Sequence, residues 1–247
     1  MGNQIDNRES ERGNVLFLIL IAVALFAALS YAVTQSTRSG GGSADREQAL
    51  LSGASMTQYP AALRTSLIRM ILGGITPAQL EFNPPSDFGA LTDTTQGVFH
   101  PDGGGAVYQR GSADLMAGNV QGTWFFNAEY IVPDIGINTA VTGNDVIAFL
   151  PNVSQSVCES INAELAIDTT DCILATSSSV PTLLTASATA DVTAIDMRNG
   201  YTFPATPETL EGNDSGGTCA AFAGQPAGCF FDVDDSQYVF YSVLLER

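Results

Sequence analysis

Few residues in the chain could do chemistry, and their types narrow what that chemistry would be. The single histidine, His100, stands in VFHPDGGGAVYQR beside Pro101, Asp102 and three glycines. Glycine lets a ligand approach the backbone closely, so a reactive turn is one reading. A Ser/His/Asp triad would have to use this histidine, yet no GxSxG elbow or other nucleophile signature accompanies it. A turn histidine before a hairpin is the preferred reading. One imidazole also excludes any centre that needs two, which removes most histidine-rich zinc and iron sites. The glycines at 103–105 lack the spacing of a dinucleotide loop, and a Walker lysine is impossible because the chain has no lysine. No enzymatic activity is expected.

Two other sets of side chains have ligand or redox potential. Asp232, Asp234 and Asp235 in FFDVDDSQ, with Asp214 in EGNDSGGTC, offer hard oxygen ligands that could hold calcium. Their spacing is not that of an EF-hand, and the competing reading, which is preferred, is a solvated turn between two strands. No other cofactor is expected. Cys158, Cys172, Cys219 and Cys229 fall into two pairs separated by 14 and 10 residues, with no CxxC motif for a metal knuckle or thiol redox centre. They are expected to form two local disulfides, Cys158 with Cys172 and Cys219 with Cys229, in an oxidising compartment, with buried free thiols as the competing reading. By chain entropy, a bridge closing the first loop is worth about 3 kcal/mol.

The elements that carry these residues begin with an uncharged 19-residue run, Val15 to Val33 (VLFLILIAVALFAALSYAV). At about 1.5 Å per residue it covers roughly 28 Å as a helix, enough to cross a bilayer once. It is longer than the apolar core of most cleaved signal peptides, and no small-x-small cleavage pattern follows promptly, so a retained membrane helix is expected. Arginines on both sides, Arg8 and Arg12 before and Arg38 and Arg46 after, leave orientation undetermined. The cysteines, all beyond the helix, place the following body outside the cytoplasm. The chain has 247 residues, 24 Gly, 11 Pro and a net charge of −17, with all nine cations arginine. Such acidity disfavours nucleic acid, since no basic stripe is available to neutralise phosphates.

The leader MGNQIDNRESERG is short, polar and charged, and its last residue, Gly13, abuts the apolar run. Here the sequence resembles the type IV pilin and pseudopilin superfamily. The resemblance implies a leader cut on the cytoplasmic face by a prepilin peptidase, with Gly13 the last leader residue and Asn14 the first mature one. It also implies a helix continuing into a strand-rich head with a disulfide loop near the C-terminus, where Cys219 and Cys229 stand. Calcium near that loop occurs in some pseudopilins. The chain departs from the family at mature position five, where Leu18 replaces the usual Glu. An apolar residue there avoids burying an unpaired carboxylate, a cost of several kcal/mol or so, and loses the pairing with a neighbour's amino terminus. Some minor, tip-located pseudopilins also lack that Glu.

Past the apolar run, Ser36 to Ser43 (STRSGGGS) reads as a linker. Ser43 could cap a helix through Tyr59, and apolar spacings near four (Leu51, Tyr59, Leu63, Leu67, Met70, Ile71) carry it on, with Pro60 expected to kink or split it. Gly73 and Gly74, with Pro77 beyond, should end it. From Glu81, apolar runs punctuated by Gly, Pro, Asn and Asp predict strands at 106–109, 122–132, 145–150, 191–197, 230–233 and 238–245. Val153, Val157, Ile161 and Leu165 predict one further helix, with Asn152 as its cap. Trp124, Phe125 and Phe126 are expected to pack the core rather than bind sugar.

The expected organisation is therefore α+β: a leader (1–13), a transmembrane and assembly helix (14–35), a Gly/Ser linker (36–43) and an exported head (44–247). That head would hold an amphipathic helix, an antiparallel β-sheet, a further helix and two disulfides in pilin-like order. The expected role is a pilin-like or pseudopilin-like structural subunit of a type IV pilus or type II secretion-type filament. The alternative is a permanently anchored single-pass membrane protein with an extracytoplasmic ligand- or partner-binding head. Expected partners are the membrane, a prepilin peptidase and other pilin-like subunits. The expected location is the bacterial inner membrane with a periplasmic head, or an extracellular filament.

Overall fold

The computed structural model describes residues 10–136, 144–167, 196–198, 201–203, 208–210, 212–214, 217–219, 222–232 and 236–247. They fall into two compact units, divided between Gln48 and Ala49. The first element, α1 (Ser10–Leu72), begins in one unit and ends in the other. The Gly/Ser stretch at 36–43, expected as a linker, is helical, and Pro60 does not split the element. Each glycine costs about 1 kcal/mol relative to alanine in a helix. Extending a helix already formed nonetheless avoids the unfavourable step of nucleating a second one.

The stop at Gly73 and Gly74 is as the sequence predicts. Gly74 takes φ +100°, its N–H donates to Ile71 O (3.0 Å), and the Ile75 N–H donates to Met70 O (3.1 Å). This is the Schellman arrangement, which satisfies two terminal carbonyls and needs a residue without Cβ in the left-handed region. Within the second unit, α1 buries Met56, Tyr59, Leu63, Leu67 and Met70 at spacings of three and four, one face of a helix.

The strands follow in chain order: β1 (Phe125–Asn127), β2 (Tyr130–Ile131), β3 (Val146–Val153), then helix α2 (Gln155–Glu164), β4 (Glu208–Thr209), β5 (Gly212–Asp214), β6 (Gly217–Cys219), β7 (Ala227–Asp232) and β8 (Gln237–Leu245). The main sheet is antiparallel in the order β1-β3-β8-β7, with Phe126 opposite Ala148, Ala148 opposite Ser242, and Phe240 opposite Cys229. β2 pairs with β4 in parallel, and β5 with β6 in a small hairpin. The predicted strand at 106–109 does not form: Ala106 and Val107 belong to a loop whose Ala106 N–H returns to Val98 O. Most of the predicted strand at 191–197 lies outside the described residues, and 196–198 is a turn.

Both faces of the central strands are buried, each in its own core. Ala148, Leu150, Phe240 and Leu244 point to the face shared with α1 and with Val157, Cys158 and Ile161 of α2. Ile147, Phe149, Val239, Tyr241 and Val243 point to the other, which Tyr130, Leu210 and Phe222 cover. The period-2 alternation of a strand sorts these residues to opposite sides. α2 starts two residues later than predicted, because β3 runs on to Val153. Asn152, expected as a helix cap, sits at φ +64° in a bulge between Pro151 and Val153, and Ser154 takes the position before the helix. Trp124 and Phe126 pack in the first core and Phe125 in the second.

Candidate functional site

The most distinctive surface is the apolar part of α1. Val15–Ala32 has a mean hydropathy of 2.7 over 18 residues, and none of it is buried by the rest of the protein. Leu16, Leu18, Phe17 and Phe26 are all exposed, so apolar side chains project around the whole circumference rather than along one stripe. A helix of that kind lies in lipid or among other helices. By length and composition it can cross a membrane once, at about 27 Å for 18 residues. Gly13 and Asn14 lie in α1 immediately before this segment, with helical backbone. Leu18 is 60% exposed in the second turn of the segment, where no carboxylate is available.

The disulfide differs from both predicted pairings. Cys158 of α2 bonds Cys229 of β7, 71 residues away, with Cα atoms 5.3 Å apart. The sheet sets β7 beside α2, so spatial neighbours replace the sequence neighbours Cys172 and Cys219. Cys219 ends β6, and Cys172 lies outside the described residues. Asn162, one turn along α2, reinforces the junction. Its Nδ2 donates to Cys229 O (2.6 Å), and the Cys229 N–H donates back to Oδ1 (2.9 Å). The amide side chain thus takes the place of another strand on the outer edge of the sheet.

Of the four aspartates offered for calcium, Asp232 is buried at the end of β7 opposite Gln237, Asp214 ends β5, and Asp234 and Asp235 lie outside the described residues. Among the described residues no three His, Cys, Asp or Glu side chains converge as a metal site. His100 accepts the Asp102 N–H at Nδ1 (3.2 Å) and meets Phe88 edge-on, with ring centroids 4.8 Å apart. The glycines beside it are packing requirements: a Cβ on Gly103 would strike Gly97 O, and one on Gly104 would strike Val98 O. The Arg69 guanidinium donates to Gly104 O and ties the turn to α1.

Sequence reasoning missed two buried carboxylates whose titration is raised, Asp145 and Asp196. Asp145, at the start of β3, accepts the Val132 N–H (2.9 Å) and the Arg247 N–H (3.1 Å). Burial pushes it up to about 6, against the pull of those two hydrogen bonds. Asp196 accepts the Phe126 N–H (2.7 Å) on the outer edge of β1 and pairs with Arg198 (3.0 Å). Burial pushes it to about 6 as well, opposed chiefly by the Arg198 charge. Asp145 opens one predicted strand and Asp196 falls inside another, and neither position marks its carboxylate as buried.

The chain matches no protein-family model, no curated protein and no solved structure. Among the described residues, these observations define an α+β chain with an antiparallel sheet, a disulfide joining α2 to β7, and an N-terminal apolar helix long enough to cross a membrane.

Proposed function

We propose that this chain is a pilin-like or pseudopilin-like structural subunit of a type IV pilus or type II secretion-type filament, held by its apolar helix in the inner membrane before assembly. The observation that carries the reading is the uncovered segment Val15–Ala32, which starts one residue after the Gly13-Asn14 bond. Glycine is a poor helix former, so local unwinding at that bond costs little and admits a peptidase. Lipid covers the segment before assembly, and like helices cover it afterwards. The head lies on the extracytoplasmic side, in keeping with its disulfide.

Leu18 favours a second reading, a permanently anchored protein whose head binds a partner near the membrane, because the usual carboxylate is missing. The N-terminal mass separates the two. Under the filament reading the mature chain begins at Asn14, and Gly13→Ala blocks processing and appearance outside the cell. A mature chain that keeps residues 1–13, or a Gly13→Ala variant processed like the parent, rejects it.

A further inference from the structure

We propose that Asn152 is an N-linked glycosylation site, its side-chain amide accepting an oligosaccharide from a lipid-linked, phosphate-activated donor on the side of the membrane where the head is oxidised. The triplet Asn152-Val153-Ser154 has the required hydroxyl two residues on and no proline between. The fold sets its three members apart. Val153 is 1% exposed and sits opposite Tyr238 in the sheet, whereas Asn152 stands out of the ladder at the bulge, exposed to solvent. Ser154 occupies the position before α2 where a serine hydroxyl ordinarily accepts a helix N–H, and it makes no such bond. The left-handed φ of Asn152 would by itself explain an asparagine there. It says nothing of the hydroxyl two residues later, which Ser154 carries without making a capping bond.

The reaction balances without redox chemistry. A bond forms between Asn152 Nδ2 and the anomeric carbon of the sugar, and the bond from that carbon to the donor's phosphate oxygen breaks. The lipid phosphate leaves with the electron pair, and one amide proton goes to a base of the transferase. The product keeps one N–H on Nδ2, the atom that in the unmodified chain donates an exposed hydrogen bond to Ala117 O (3.2 Å). In the finished fold the Ser154 N–H is tied to Leu115 O (2.8 Å) and Val153 is buried, so a transferase cleft cannot take the triplet. Transfer therefore precedes the closing of β3 onto β8, during export. A second triplet, Asn213-Asp214-Ser215, has its serine outside the described residues.

The inference needs only an exported head, so it stands whether or not the leader is cut at Gly13. Glycopeptide and intact-mass spectrometry of the full chain from its native host tests it. The peptide containing Asn152 is expected to carry a hexose or N-acetylhexosamine-based increment. Asn152→Asp and Ser154→Ala should each lose it, and Ser154→Thr should keep it, with the Cys158–Cys229 linked peptide recovered in each as the check on folding. If a variant lacks that linked peptide, the parent's own Asn152 peptide decides. An Asn152 peptide found only unmodified, an increment that persists in Ser154→Ala, or a glycan confined to Asn213 would overturn the proposal.

Discussion

Asp145 and Asn162 each close a gap that the sheet leaves in its own backbone bonding, and each can be tested singly. Asn162 satisfies both the N–H and the C=O of Cys229, groups that are otherwise buried on a sheet edge. Truncating it strands both, and an unmet buried polar group costs about 1–3 kcal/mol. Asn162→Ala should therefore lower stability by about 2–4 kcal/mol in urea unfolding; a loss below about 0.5 kcal/mol would mean water replaces the amide. Asp145 acts through pH. Its folded-state value is raised from 3.8 to about 6, so the folded chain binds the proton more tightly than the unfolded one. The stability linked to that proton is fully present below 3.8 and is lost as pH rises through about 6. The thermal midpoint should thus rise from pH 7.5 to pH 5, and Asp145→Asn should flatten the rise while lowering the midpoint throughout. An unchanged pH slope in that variant would show that other carboxylates carry the effect.

Between α2 and β7 the covalent and hydrogen-bonded ties converge on one residue, Cys229. By chain entropy a bridge spanning 71 residues contributes about 4 kcal/mol, more than the bridge between sequence neighbours would have done. Non-reducing peptide mapping should recover Cys158 linked to Cys229, and Cys158→Ser with Cys229→Ser should destabilise the head by about that amount. Recovery of Cys158 linked to Cys172 would refute the arrangement. The way this junction escaped a reading of the sequence shows where such reading stops. The apolar run, the Gly73-Gly74 stop and strand β8 are each written in local periodicity or in one residue's conformational freedom, and all three were legible. The cysteine partners depend on sheet order, a non-local property that loop length does not encode. The helical Gly/Ser stretch failed for a related reason, since local propensity says nothing of the helix flanking it on both sides. Of the candidate site, the apolar segment was legible in full. The polar clamps Asp145, Asp196 and Asn162 were not, because an isolated polar residue carries no periodic signal.

Taken over its whole length, the molecule concentrates its acidity far from its apolar segment. Of its 26 acidic residues, 21 lie after Leu80, where three arginines accompany them, while Val15 to Val33 carries no charge at all. An acidic body favours solubility, and an uncharged helix exposed on every side favours lipid, so the balance between water and membrane rests on a few side chains near the middle of that helix. Leu25 is one of them, 64% exposed within Val15–Ala32. Arginine at the centre of a membrane helix costs roughly 2.5–3.5 kcal/mol on insertion scales, which converts to about a hundredfold in partition. Leu25→Arg should move the chain out of the carbonate-washed membrane pellet, whereas Leu25→Phe should leave it there. Parent protein found in the soluble fraction with its helix intact would remove the membrane from this account, and a soluble head that lacks the helix would identify the segment as a cleaved signal.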